Sequence, residues 1–111
     1  MVKLGLLFDI LSDERRRYVL YYLHERSGPV PVKELVEVVR RWEDDPPQPD
    51  ASWDAIDPLE VELQHRHLPK ASEVDFVQYQ PDQGIIQIQG TSPEVDALVT
   101  IARIIEQPDA G

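Results

Sequence analysis

The sequence predicts an α+β domain, on three observations. Along most of the chain apolar residues recur at spacings of three and four, the period of a helix with one buried face. Between Val77 and Ile88 the period drops to two: Val77 and Tyr79 alternate with Gln78 and Gln80, and Ile86 and Ile88 alternate with Gln87 and Gln89. Pro81-Asp82-Gln83-Gly84 lies between these runs and has the composition of a tight turn. The stretch Asp57 to Gly90 thus reads as a capped helix, a turn and a hairpin. A helix followed by a hairpin is the second half of a winged helix-turn-helix, and the rest of the chain has the helices for the first half and two flanks. The predicted order is α-α-(β)-α-long loop-α-β-β-α, in one domain over residues 1–111.

Val2 to Leu11 places Leu4, Leu7, Phe8 and Leu11 at helical spacing, weakened by Gly5. Ser12 is a good N-cap for a second helix, and Asp13 and Glu14 behind it suit the helix dipole. That helix runs to Glu25 or Arg26, with Val19, Leu20 and Leu23 as its core stripe and Tyr18 and Tyr22 as a semi-polar one. Ser27-Gly28-Pro29 ends it. Val30-Pro31-Val32 is the place for a small third strand. Lys33 to Trp42 is the next helix, with Leu35, Val36 and Val39 inward.

An acidic, proline-rich loop follows at 43–53, flanked by Trp42 and Trp53. Its Pro46, Pro47 and Pro49 oppose helix, and Glu43, Asp44, Asp45 and Asp50 oppose burial. Ordinary helix-turn-helix pairs use roughly three or four residues here. The two tryptophans fold the loop back onto the domain or are ordinary packing residues. Asp57, Pro58 and Glu60 then give a helix start, and Pro69 weakens the helix near its end. After the hairpin, Thr91 or Ser92 caps a last helix that stops before Pro108, with Glu94 able to close a capping box with Thr91. Val95, Leu98, Ala102 and Ile105 form one apolar face of it, and Val99, Ile101 and Ile104 lie on others. A helix apolar nearly all round is buried on more than one side. The expected interface is therefore with a second copy, through Leu4, Leu7, Phe8, Val99, Ile101, Ile104 and Ile105.

The net charge is −10 and cysteine is absent, which excludes disulfides and thiolate metal sites. Lysine occurs only at Lys3, Lys33 and Lys70. This balance suits a protein dissolved in molar salt, the alternative being an acidic protein of an ordinary cytoplasm. No apolar run approaches the ~20 residues of a membrane span, and the start does not read as a signal peptide, so a soluble cytoplasmic protein is expected.

Two segments carry a family likeness. LFDILSDERRRYVLYYLHE, Leu7 to Glu25, resembles the opening of archaeal winged-helix regulators and of the arsenical-resistance-repressor-like group. HRHLPKASEVDFVQYQ, His65 to Gln80, resembles the end of their recognition helix and first wing strand. With its acidic composition the chain looks like a haloarchaeal winged-helix family of transcriptional regulators. The resemblance implies a homodimer that binds DNA.

On the expected recognition helix, Gln64 can pair with adenine and Arg66 with guanine, and His67 is a further candidate; Glu60 and Glu62 would repel phosphate. Arg15, Arg16 and Arg17 are the one dense basic run. They read as a solvated helix start paired with Asp13 or Glu14, as phosphate contacts, or as an anchor for the acidic loop. His65 and His67 are two apart, not the three or four of a helical metal pair, so no metal and no cofactor are expected. No phosphate loop or nucleophile motif occurs, so an enzyme is not expected. The rival reading is a degenerate winged helix that binds protein, with Glu60 and Glu62 in its docking surface. No effector, operator or regulated gene is readable.

Overall fold

The computed structural model describes residues 3–26, 28–43 and 57–108. The order is α1 (Leu4–Leu11), α2 (Glu14–Glu25), β1 (Val30–Pro31), α3 (Val32–Trp42), α4 (Pro58–Glu62), a π-helical turn (Leu63–His67), α5 (Leu68–Ala71), β2 (Val77–Gln80), β3 (Ile85–Ile88) and α6 (Pro93–Glu106). The strands form an antiparallel sheet in the order β1-β3-β2. This α+β arrangement is compatible with a winged-helix-like fold. Trp53 and most of the acidic loop lie outside the described residues. Among the described residues no helix is long and apolar enough to cross a membrane.

The centre of the fold is α2. It touches α1, α3, α6 and β3. Its Val19, Leu20 and Leu23 are buried as expected, but so are Tyr18 and Tyr21. A helix packed on several sides buries residues well beyond one stripe. The cap of α2 also differs from expectation. Asp13, not Ser12, accepts the Arg15 and Arg16 backbone N–H groups, while the Ser12 hydroxyl donates to the Asp9 carbonyl and closes α1. A carboxylate at the cap answers both the orphan N–H groups and the positive end of the dipole.

In the hairpin, Val77 faces Ile88 and Tyr79 faces Ile86, so the period-two pattern places the apolar side chains on one face. Val30 pairs with Ile86, and both are fully buried. Gly84 takes a φ of +65°, the left-handed conformation that closes the turn, and its carbonyl accepts the Val32 N–H at 2.8 Å. The sheet is thereby tied to the start of α3. Leu35, Val36 and Val39 of α3 reach the same core.

At the start of α6 the Val95 N–H donates to Ser92, so Ser92 is the cap. Thr91 makes no box with Glu94; its hydroxyl donates to Asp96 at 2.7 Å. The helix ends at Gln107, whose φ of 48° stops it one residue before Pro108.

Candidate functional site

The helical run 58–71 presents the side chains expected to read DNA. Asp57 caps it by accepting the Leu59 N–H, and Arg40 holds the other Asp57 oxygen. The run stays helical through Pro69, where the sequence weakens the expectation of a helix. A π turn precedes the proline, closed by the Leu68 N–H on the Leu63 carbonyl. In a π turn residues five apart align, and the wider turn moves the carbonyl with which the proline ring would otherwise clash. The same geometry brings Glu62 under His67. His67 is 1% exposed and packed inward, four residues on from Leu63 and so on its face, and not on the outer face that a DNA-reading role requires. What the π turn adds is the alignment of Leu68 with Leu63, five residues apart and both fully buried. His65 and Arg66 are exposed, Arg66 with 65% of its side chain free, and Gln64 is half-buried with its amide 3.4 Å from Glu60.

Glu62 is the hub of a polar cluster beneath that face. One carboxylate oxygen lies 3.1 Å from Arg66 Nη1 and 3.2 Å from His67 Nε2, and the other receives Arg15. His67 Nδ1 faces Arg16 Nη1 at 3.4 Å and Asp13 at 3.8 Å. Arg16 donating to Nδ1, with the ring proton on Nε2 directed at Glu62, satisfies both nitrogens. Beside it lies a cleft of about 430 Å³ bordered by Asp13, Arg15, Glu43, Glu62 and His67. Among the described residues no three His, Asp or Glu side chains converge as a metal site.

The arginine run closes the domain, each member toward different elements. Arg15 joins Glu43 at 2.7 Å as well as Glu62, so it holds the first acid of the loop. Arg16 donates to the Ile10 and Asp9 carbonyls of α1. Arg17 grips both Glu106 oxygens at 2.9 Å and donates to the Leu11 carbonyl. The Tyr21 hydroxyl adds a 2.8 Å bond to Glu106. All three guanidinium groups thus have intramolecular acceptors.

Hydrogen bonds from Arg17, then Tyr21, outweigh burial and hold the Glu106 carboxyl below its ordinary value. A carboxylate with a depressed folded pKa contributes stability above its unfolded pKa and loses it as pH falls through the folded one. Stability should therefore drop between roughly pH 5 and pH 3. Urea unfolding at stepped pH should show a shallower drop for Glu106→Gln; identical profiles would count against this role.

The expected interface residues divide. Leu4, Phe8, Ile101, Ile104 and Ile105 are exposed, Ile105 at 78%. Leu7 and Val99 are core residues, at 3% and 1%. The reason is how the helices are turned. Leu7 shares the inner face of α1 with Ile10, and α6 directs Val95, Val99 and Glu106 toward α2, which leaves Ile105 outward. Trp42 is a packing residue, set edge-on against Tyr18 and Tyr22 with Arg103 over its ring at 5.4 Å.

A family model described as a domain of unknown function, DUF7344, matches residues 8–87. The chain belongs to that family. The matched stretch runs from within α1 through most of β3 and leaves out α6. No curated protein matches the chain, and no solved structure does.

Proposed function

We propose that this chain is a winged-helix transcriptional regulator of a halophilic archaeon, a cytoplasmic homodimer that lays the 58–71 helix against duplex DNA with the β2–β3 hairpin as its wing. The observation that carries the reading is the outer face of that helix. Of the two acids expected to repel phosphate, Glu62 is answered by Arg15 and Arg66, while Glu60 accepts from Gln64 alone among the described residues. Gln64, His65 and Arg66 remain accessible on the outer side. Gln64 and Arg66 suit bidentate contacts to adenine and guanine edges. With Arg15, Arg16 and Arg17 engaged internally, phosphate contacts fall to exposed cations of α3, Lys33 and Arg41. In molar salt the counterion-release contribution is small, so a modest number of phosphate contacts suffices for a protein that reads bases.

Gel retardation of genomic fragments in molar KCl tests this. A retarded subset is expected, and Arg66→Ala should cost ~1–3 kcal/mol of discrimination at one base pair. Absence of retardation at every salt concentration overturns the reading. A second reading then stands, a winged helix that docks protein. It is favoured by the net charge of −10 and by a wing tip, Gln80 to Gly84, that carries Asp82 and no cation. A pull-down with the intact protein would be the measurement for it.

A further inference from the structure

The N-terminal halves of α1 and α6 and the chain entering β2 enclose a groove of about 580 Å³. Its apolar lining includes Leu4, Leu7, Phe76 and Leu98, and its charged lining is Asp75 and Glu94. The volume lies in the range of small-molecule sites, ~300–1,000 Å³, and such sites combine an apolar wall with few polar groups. Among the described residues neither a basic residue nor a histidine lines it. Many acids of the described chain are held in ion pairs: Asp9 by Lys70, Glu25 by Arg103, Glu106 by Arg17. Asp75 and Glu94 are exposed and in no ion pair among the described residues. Both open onto an apolar hollow with their charge unanswered.

We infer that this groove binds a small organic cation with an apolar or aromatic body, its ammonium set between Asp75 and Glu94. The inference does not depend on what the 58–71 helix binds. The positive end of α6 lies nearby and opposes a cation, but a helix end amounts to about half a charge. Ser92 already caps it, and Glu94 and Asp96 lie in its first turn. Two full carboxylate charges outweigh the remainder. An anionic ligand would meet those carboxylates unscreened by any cation of the lining, and a neutral one would leave them unused.

The test uses the full chain in two-dimensional amide NMR at one fixed salt concentration. Three probes share an indole body and differ in charge: tryptamine, tryptophol and indole-3-acetate. Tryptamine is expected to give saturable shifts at the Leu4, Phe76 and Val95 amides. Tryptophol should bind the same place about five- to tenfold more weakly, the size expected of two partly exposed charge contacts, and indole-3-acetate more weakly still. The double change Asp75→Asn and Glu94→Gln touches exposed side chains. It should equalise tryptamine and tryptophol while leaving tryptophol binding in place. Leu98→Trp, which fills the groove, should abolish both. Equal affinity of the wild type for all three probes, shifts centred elsewhere, or no saturable shift overturns the inference. The rival occupant is a second copy of the chain inserting its own apolar side chains. Tryptamine shifts that fade as protein concentration rises would identify that occupant and overturn the inference.

Discussion

His67→Ala is expected to lower the unfolding free energy by about 3 kcal/mol, through a cavity and two orphaned polar groups. The imidazole is 1% exposed and fills the inner side of the π turn between Leu63 and Leu68. Truncating a buried ring of this size opens space that a turn already widened to the i→i+5 pattern closes poorly. Arg16 Nη1 loses its partner at 3.4 Å and Glu62 loses one at 3.2 Å. Glu62 is one-third exposed and keeps Arg15 and Arg66, so its share of the loss is the smaller one. The neighbouring His65→Ala is the control: its side chain is exposed, and a change within about 0.5 kcal/mol is expected. Urea unfolding in constant KCl measures both. A loss under ~1 kcal/mol for His67→Ala would remove the histidine from any structural role. Such a loss of stability need not remove helix 58–71 from the surface, so the proposed DNA binding is a separate readout.

The π turn that ends at His67 also marks where periodicity stops working. Periodicity rests on a fixed angle per residue, and the helices that keep that angle are found nearly as expected: α1, α3 and α6 differ from their predicted bounds by one or two residues. The hairpin and the short β1 are legible for the same reason, since alternation and turn chemistry are local. The π turn changes the angle in mid-helix without a composition of its own, and so it brings Leu68 into the core beside Leu63. His67, four residues on from Leu63, is on the buried face by the ordinary period and was misplaced as a base-reading candidate. Pro69 is the one local sign of the π turn, because a helix that runs through a proline needs a wider turn or a kink before it.

The polar cluster was illegible for a different reason. Arg15 meets Glu43 and Glu62, 28 and 47 residues away, and Arg17 meets Glu106, 89 residues away. Ion pairs at such separations leave no periodic trace, because any arginine can meet any of the many acids in this chain. What is visible beforehand is only that a dense basic run in an acidic protein has abundant partners. Of the readings weighed for the run, anchorage of the loop describes Arg15, through Glu43. The inward turn of Leu7 and Val99 was hidden among apolar neighbours of equal hydrophobicity. Glu106 resolves it for α6: a carboxylate bound by Arg17 and Tyr21 fixes which side of the helix faces α2.

The largest effect is expected from the double change Ile101→Glu and Ile104→Glu, which should convert the proposed homodimer into monomers by raising its dissociation constant at least about 100-fold. In the protomer Leu4, Phe8, Ile101, Ile104 and Ile105 are between half and four-fifths exposed. Large apolar side chains left in water on two terminal helices are what an interface looks like with its partner removed. Fully burying one isoleucine is worth ~1.5–3 kcal/mol, so removing two from a contact exceeds the ~2.7 kcal/mol of a 100-fold change. The new glutamates add a desolvation cost and repulsion between copies. Molar salt screens the repulsion and leaves the desolvation, so the effect should persist there. Because both side chains point outward in the protomer, its helical content and unfolding profile should change little, which separates loss of assembly from loss of fold. Sedimentation equilibrium at high micromolar concentration in molar KCl measures it. A wild-type chain that sediments as a monomer under those conditions overturns the homodimer. The exposed isoleucines would then need a partner of another kind.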